Sequence, residues 1–157
     1  MPQKYRNLNT AVQLVEHDGE PLAIIVRKNY KAPGIHFLTA GELSQQLGFM
    51  CHPAGKIIEP HVHNHISREV RLTQEVLFIR KGSLRVDFYT SERQYLESYV
   101  VRSGDVILLV SGGHGFEVLE EIEMFEVKQG PYVGDIDKTC FTGITSQDVM
   151  LRDENPS

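Results

Sequence analysis

The sequence predicts an all-β fold, a sandwich, jelly roll or closed barrel within one domain, and three observations carry that expectation. From residue 49 onward, strand-like runs follow one another at short intervals, each bounded by Gly, Pro, Asn or a charged pair. No helical stretch separates them, and evenly spaced strands without intervening helices indicate one of those architectures. At 157 residues, with 41% hydrophobic and 24% charged residues, the chain has the size and composition of an ordinary globular domain with its own core.

Residues 11–28 read as a hairpin. AVQLVEH and PLAIIVR are β-rich runs joined by Asp18-Gly19, and the Gly accepts the positive φ that tight hairpin turns require. The helix start is Thr39-Ala-Gly-Glu42, where the Thr hydroxyl can cap the third amide and the Glu can reach back to the cap. Gly48 stands where such a helix would stop, which predicts about two turns over 40–47. Seven strand candidates follow: KIIEPHVHNHI, VRLTQEVLFIR, SLRVDFYT, RQYLESYVV, DVILLV, HGFEVLE and IEMFEVKQ. After Gly134 the pattern fades, and MLRDENPS reads as a frayed polar tail. The single domain thus divides into a hairpin and short helix at 1–48, a barrel core at 49–130 and a C-terminal extension at 131–157.

Charge narrows the possible partners. The net charge is −5, and the densest basic stretches, Arg68 to Arg71 and Arg80 to Arg85, hold only two or three cations among apolar residues. Phosphate contacts need a continuous basic patch, so no nucleic-acid partner is expected. No window is long and apolar enough to span a bilayer, and MPQKYRNLNT lacks the pattern of an export signal, so the expectation is a cytoplasmic protein with no membrane partner. Cys51 and Cys140 lie far apart with no metal-type spacing and read as buried thiols.

Four residues carry the chemistry. In Pro60-His61-Val62-His63, alternate side chains of a strand share a face, so two imidazoles about 7 Å apart can converge on one ion. His65 continues the same parity, leaving 63/65 as an alternative pair; Gly55 before the motif and Pro60 at its entry favour 61/63. Glu75 shares its face with Leu77 and Ile79, a costly place for a carboxylate unless a cation or several donors compensate its desolvation. An edge position reaching solvent is the plain alternative. His114 follows the Ser111-Gly112-Gly113 turn in register with Phe116 and Val118, again a polar head on an apolar face. Alone it reads as a satisfied core histidine; together with the other three it reads as a ligand.

These pieces resemble the cupin family. Gly55, His61, His63, Glu75 and Gly82 fall on its first motif, and Gly104 and His114 on its second. The likeness covers about residues 50–130. It implies a double-stranded β-helix barrel with one metal in its mouth, bound by His61, His63, Glu75 and His114. Three departures accompany it: eleven residues rather than three or four separate His63 from Glu75, Val110 stands at the usual Pro, and Val118 at the usual Asn. The long gap implies a long hairpin, with Asn64 to Gln74 overhanging the site.

Three imidazoles and one carboxylate suit one divalent transition metal, Fe, Mn, Ni, Zn or Cu, with coordination positions left for water or substrate. The first expectation is therefore an oxygenase- or isomerase-type enzyme acting on a small polar or anionic substrate, with Arg68, Arg71 or Arg80 holding an anionic group. A second comes from a neighbouring branch of the fold. Metal-independent sugar-nucleotide isomerases and epimerases of cell-surface polysaccharide pathways resemble this chain in a His-x-His strand followed by a long hairpin, and there histidines act as acid or base. The third is a non-catalytic metal or small-ligand binding protein. A homodimer is expected, with the hairpin at 11–28 as its interface.

Overall fold

The computed structural model describes residues 10–152. Strands account for 45% of these residues and helix for 3%, so the all-β expectation holds. The chain forms two compact units, Lys31–Arg71 and the remainder.

In the larger unit, β1 (Val12–His17) and β2 (Glu20–Val26) form the expected hairpin. Its turn places both Asp18 (φ 50°) and Gly19 (φ 82°) in the left-handed region, the conformation that matches the twist of the flanking strands. The smaller unit holds β3 (Gly34–Phe37) and β4 (Gly48–Cys51), an antiparallel pair that the sequence does not announce. The expected helix at 40–47 is absent. Thr39 Oγ1, which would have capped it, instead donates to Gln46 Oε1 and accepts from the Leu47 amide, while Gln46 Nε2 donates to the Ala40 and Leu43 carbonyls. These local side-chain bonds hold an irregular connection between β3 and β4, and Gly48 opens a strand rather than ending a helix.

The remaining strands belong to the larger unit: β5 (Glu75–Tyr89), β6 (Tyr95–Arg102), β7 (Val106–Leu109) and β8 (Gly113–Lys128). With the hairpin they make one antiparallel sheet in the order β1-β2-β7-β5-β6, and β8 pairs along the other side of β5. The sheet curls into a half-barrel; the finer double-stranded β-helix topology remains an implication of the family likeness.

The seven candidate strands resolve into four. VRLTQEVLFIR and SLRVDFYT fuse into β5, and HGFEVLE and IEMFEVKQ into β8. KIIEPHVHNHI forms no strand, and residues 52–74 carry no β-structure. The fusion in β5 turns on Gly82. Core-facing residues are odd-numbered before it (Leu77, Ile79) and even-numbered after it (Leu84, Val86, Phe88), and all five are fully buried. A bulge allows one strand to change parity and keep a single core face. Gly82 supplies it at φ 78°, where an added Cβ would stand 2.1 Å from the Glu121 carbonyl oxygen.

The core lies on this face, where the β5 residues meet Ala23 and Ile25 of β2, Val101 of β6, and Ile107 and Leu109 of β7. Arg27 ties the sheet ends together from the side, donating to Asp105 Oδ2 at 2.9 Å, to the Val100 carbonyl at 2.7 Å and to Gln13 Oε1. Both cysteines are free and exposed rather than buried, because they stand outside this core. No helix among the described residues is long and apolar enough to cross a membrane.

Candidate functional site

Glu75 opens β5 and His114 is the second residue of β8; the antiparallel register sets them near opposite ends of the β5–β8 ladder, and the curl of the sheet brings them together. Glu75 faces the same side as Leu77 and Ile79, as alternation predicts. His114 pairs with Phe88 in the ladder, in line with Phe116 opposite Val86 and Val118 opposite Leu84. The sharp turn that starts β8 depends on Gly112 (φ 69°), whose added Cβ would lie 2.7 Å from the Tyr89 carbonyl oxygen.

Two side chains 39 residues apart in sequence are thereby brought together, with His114 Nε2 3.3 Å from Glu75 Oε2. The other carboxylate oxygen, Oε1, lies 3.6 Å from Lys128 Nζ, placed by the β5–β8 register that sets Glu75 opposite Lys128. Lys128 also reaches Glu126 Oε1 at 3.2 Å. The Glu75 side chain is 16% exposed, a setting in which its charge requires partners. The hydrogen bond with His114 holds its carboxyl below the usual range, against the opposing effect of burial, and the His114 and Lys128 charges assist.

The pair lines a cleft of about 880 Å³ formed entirely by the larger unit. Its walls include Arg85, Asp87 and Tyr89 of β5, Glu117 and Glu126 of β8, and Cys140 and Phe141 of the following segment. Arg85 is held bidentately by Asp87 at 2.7 and 3.0 Å and also by Glu117; the Asp87 bonds are the main cause that raises its pKa. Tyr89 accepts a hydrogen bond from the Ile144 amide and packs edge-on against Phe141. Alternation in SLRVDFYT already places Arg85, Asp87 and Tyr89 on one side, so that wall was readable; Lys128 was not, because its position depends on a register set by bulges.

His61 and His63 belong to the smaller unit. They do not lie on a strand, so the parity argument that placed them on a common face fails. Their rings are nevertheless neighbours, edge to face with centroids 5.2 Å apart, and His61 Nδ1 lies 3.0 Å from the Glu59 carbonyl. His65 is exposed in the same irregular segment. No group of three or more His, Cys, Asp or Glu side chains is gathered as a metal site among the described residues. Of the arginines considered for an anionic group, Arg71 pairs with Glu69 and Arg80 with Glu123, and neither lines the cleft.

Glu75 and His114 have the separation that two ligands of one cation would have. Two adjacent ligands bound at about 2.1 Å lie about 3 Å apart, close to the observed carboxylate–imidazole separation. The carboxylate already attracts a cation, the Lys128 ammonium. No protein-family model matches the chain, and neither the curated proteins nor the solved structures contain a match.

Proposed function

We propose that this chain is a metal-binding protein of the cupin type, an enzyme that uses one divalent transition metal on a small polar substrate. The observation that carries the reading is the convergence of Glu75 and His114 on the apolar face of a curled all-β sheet, at the wall of a cleft large enough for a small molecule. Glu75 and His114 would supply two ligands of the metal, one carboxylate oxygen and one imidazole nitrogen. When bound, such an ion supplies Lewis-acid polarisation of a chelating oxygen or a site for dioxygen.

The remaining groups of the cleft bind and orient. Arg85 and Lys128 already carry carboxylate partners, which leaves them less free to hold an anion and supports a polar rather than an anionic substrate. Thr73, Ser111, Thr139 and Tyr89 also line the cleft; the Thr73 and Ser111 hydroxyls donate to Asp137 Oδ1 and to the Pro21 carbonyl and keep acceptor lone pairs for such a substrate.

A second reading is favoured by the same contact. A carboxylate bonded to an imidazole can orient it as a general base without metal, as in the sugar-nucleotide isomerases and epimerases. Substitution separates the two. Under the metal reading, His114→Ala and Glu75→Gln each weaken uptake of added Mn(II) or Fe(II) by about tenfold or more, the range typical for loss of a ligand-shell group. Uptake unchanged in both variants, with turnover of a nucleotide sugar by metal-free protein, would establish the second reading instead.

A further inference from the structure

Lys128 occupies a position that neither reading uses. Its ammonium stands between two carboxylates, 3.6 Å from Glu75 Oε1 and 3.2 Å from Glu126 Oε1, while His114 holds the other oxygen of Glu75. The register of β5 and β8 sets this arrangement, with Glu75 opposite Lys128 and Leu77 opposite Glu126, so all three side chains project from one face. Glu126 is the closer partner and is itself more exposed than Glu75.

We infer that Lys128 is a resident competitor cation: its ammonium neutralises Glu75 when no metal is bound, and moves fully onto Glu126 when a divalent ion takes the carboxylate. This rests on the metal-binding reading above and adds a device that sets metal affinity. The physical basis is electrostatic. A half-buried carboxylate with no cation is costly, so a nearby ammonium stabilises the metal-free protein. The same ammonium repels an incoming divalent ion, and that repulsion is relieved as the lysine swings toward Glu126. Lys128 is thus a positioning residue that acts through Glu75 without itself being a ligand.

The two neighbours of the ion are therefore expected to act in opposite directions. Lys128→Met removes the competitor and keeps most of the length of the side chain, so Mn(II) should bind about tenfold more tightly than in the wild type. Glu126→Gln removes the alternative partner, leaving the ammonium committed to Glu75, so Mn(II) should bind several-fold more weakly. Both sites are at the surface of the sheet end, and far-ultraviolet circular dichroism of each variant verifies the fold. The measurement is a titration of full-length protein with Mn(II) at neutral pH, the free ion being followed by electron paramagnetic resonance.

Tighter binding by Lys128→Met with weaker binding by Glu126→Gln is the expected result. Wild-type protein that takes up Mn(II) while Lys128→Met binds it no more tightly would overturn the inference and leave the metal-binding reading intact. Folded wild-type and Lys128→Met proteins that both fail to take up Mn(II), Fe(II) or Zn(II) would overturn both.

Discussion

At the scale of single residues, the chain places charge inside only where a partner is waiting. Glu75 meets His114 and Lys128, and Arg85 meets Asp87 and Glu117. Asp87 further accepts from Ser98 Oγ, giving a buried network in which each member satisfies the next. Asp87→Ala should cost about 3 kcal/mol in urea unfolding, because it leaves a mostly buried guanidinium with one carboxylate fewer. Tyr99 gives a pH-dependent prediction. Burial, reinforced by Glu97, pushes its phenol up to about 12. The folded protein therefore retains this proton after an unfolded chain would have lost it near the ordinary value of 10. Its contribution is complete below that value and disappears as pH rises through the folded one. Between those limits wild-type protein should lose about 2 kcal/mol more stability than Tyr99→Phe, and phenolate absorbance should show one tyrosine titrating late. The need of Glu75 for a cation was legible in the sequence; the identity of Lys128 as one of its partners was not.

At the scale of elements, the decisive feature is the length of β5. Sequence patterning divides it at Lys81-Gly82, because the apolar parity changes there and Gly ordinarily marks a turn. In the fold the change of parity is absorbed by a bulge, and the strand continues for 15 residues against the 16-residue β8. Gly82→Ala is expected to destabilise the protein by about 2 kcal/mol or more, since the positive φ disfavours any Cβ and the nearby carbonyl gives it no room. Unfolding midpoints in urea measure this. The hairpin at 11–28 was fully legible, as its turn chemistry and its alternation agree. The helix at 40–47 was misread because a capping signal is local, and the same Thr39 hydroxyl found partners in a non-helical loop. The histidine strand was misread for a related reason: alternation supplies a face only if a neighbouring strand pairs with the segment, and residues 52–74 have none among the described residues.

At the scale of the whole molecule, the all-β class followed from composition and punctuation, whereas the separation into two units did not. His61 and His63 belong to one unit, Glu75 and His114 to the other. Binding of a metal to the folded state alone would raise the unfolding midpoint in proportion to the logarithm of free metal. Differential scanning calorimetry with and without added Mn(II) is expected to show that rise in wild-type protein and to lose it in Glu75→Gln/His114→Ala. The homodimer stands as a proposal that sedimentation equilibrium tests. The hairpin assigned to it also supplies core residues, since Ala23 and Ile25 of β2 are fully buried, so deleting it would confound association with folding. The most direct test of the central claim is elemental analysis of protein purified without added metal or chelator. One equivalent of a divalent transition metal per chain, lost in Glu75→Gln and His114→Ala, is the predicted result; folded wild-type protein with no stoichiometric metal, and none taken up on reconstitution, would contradict it.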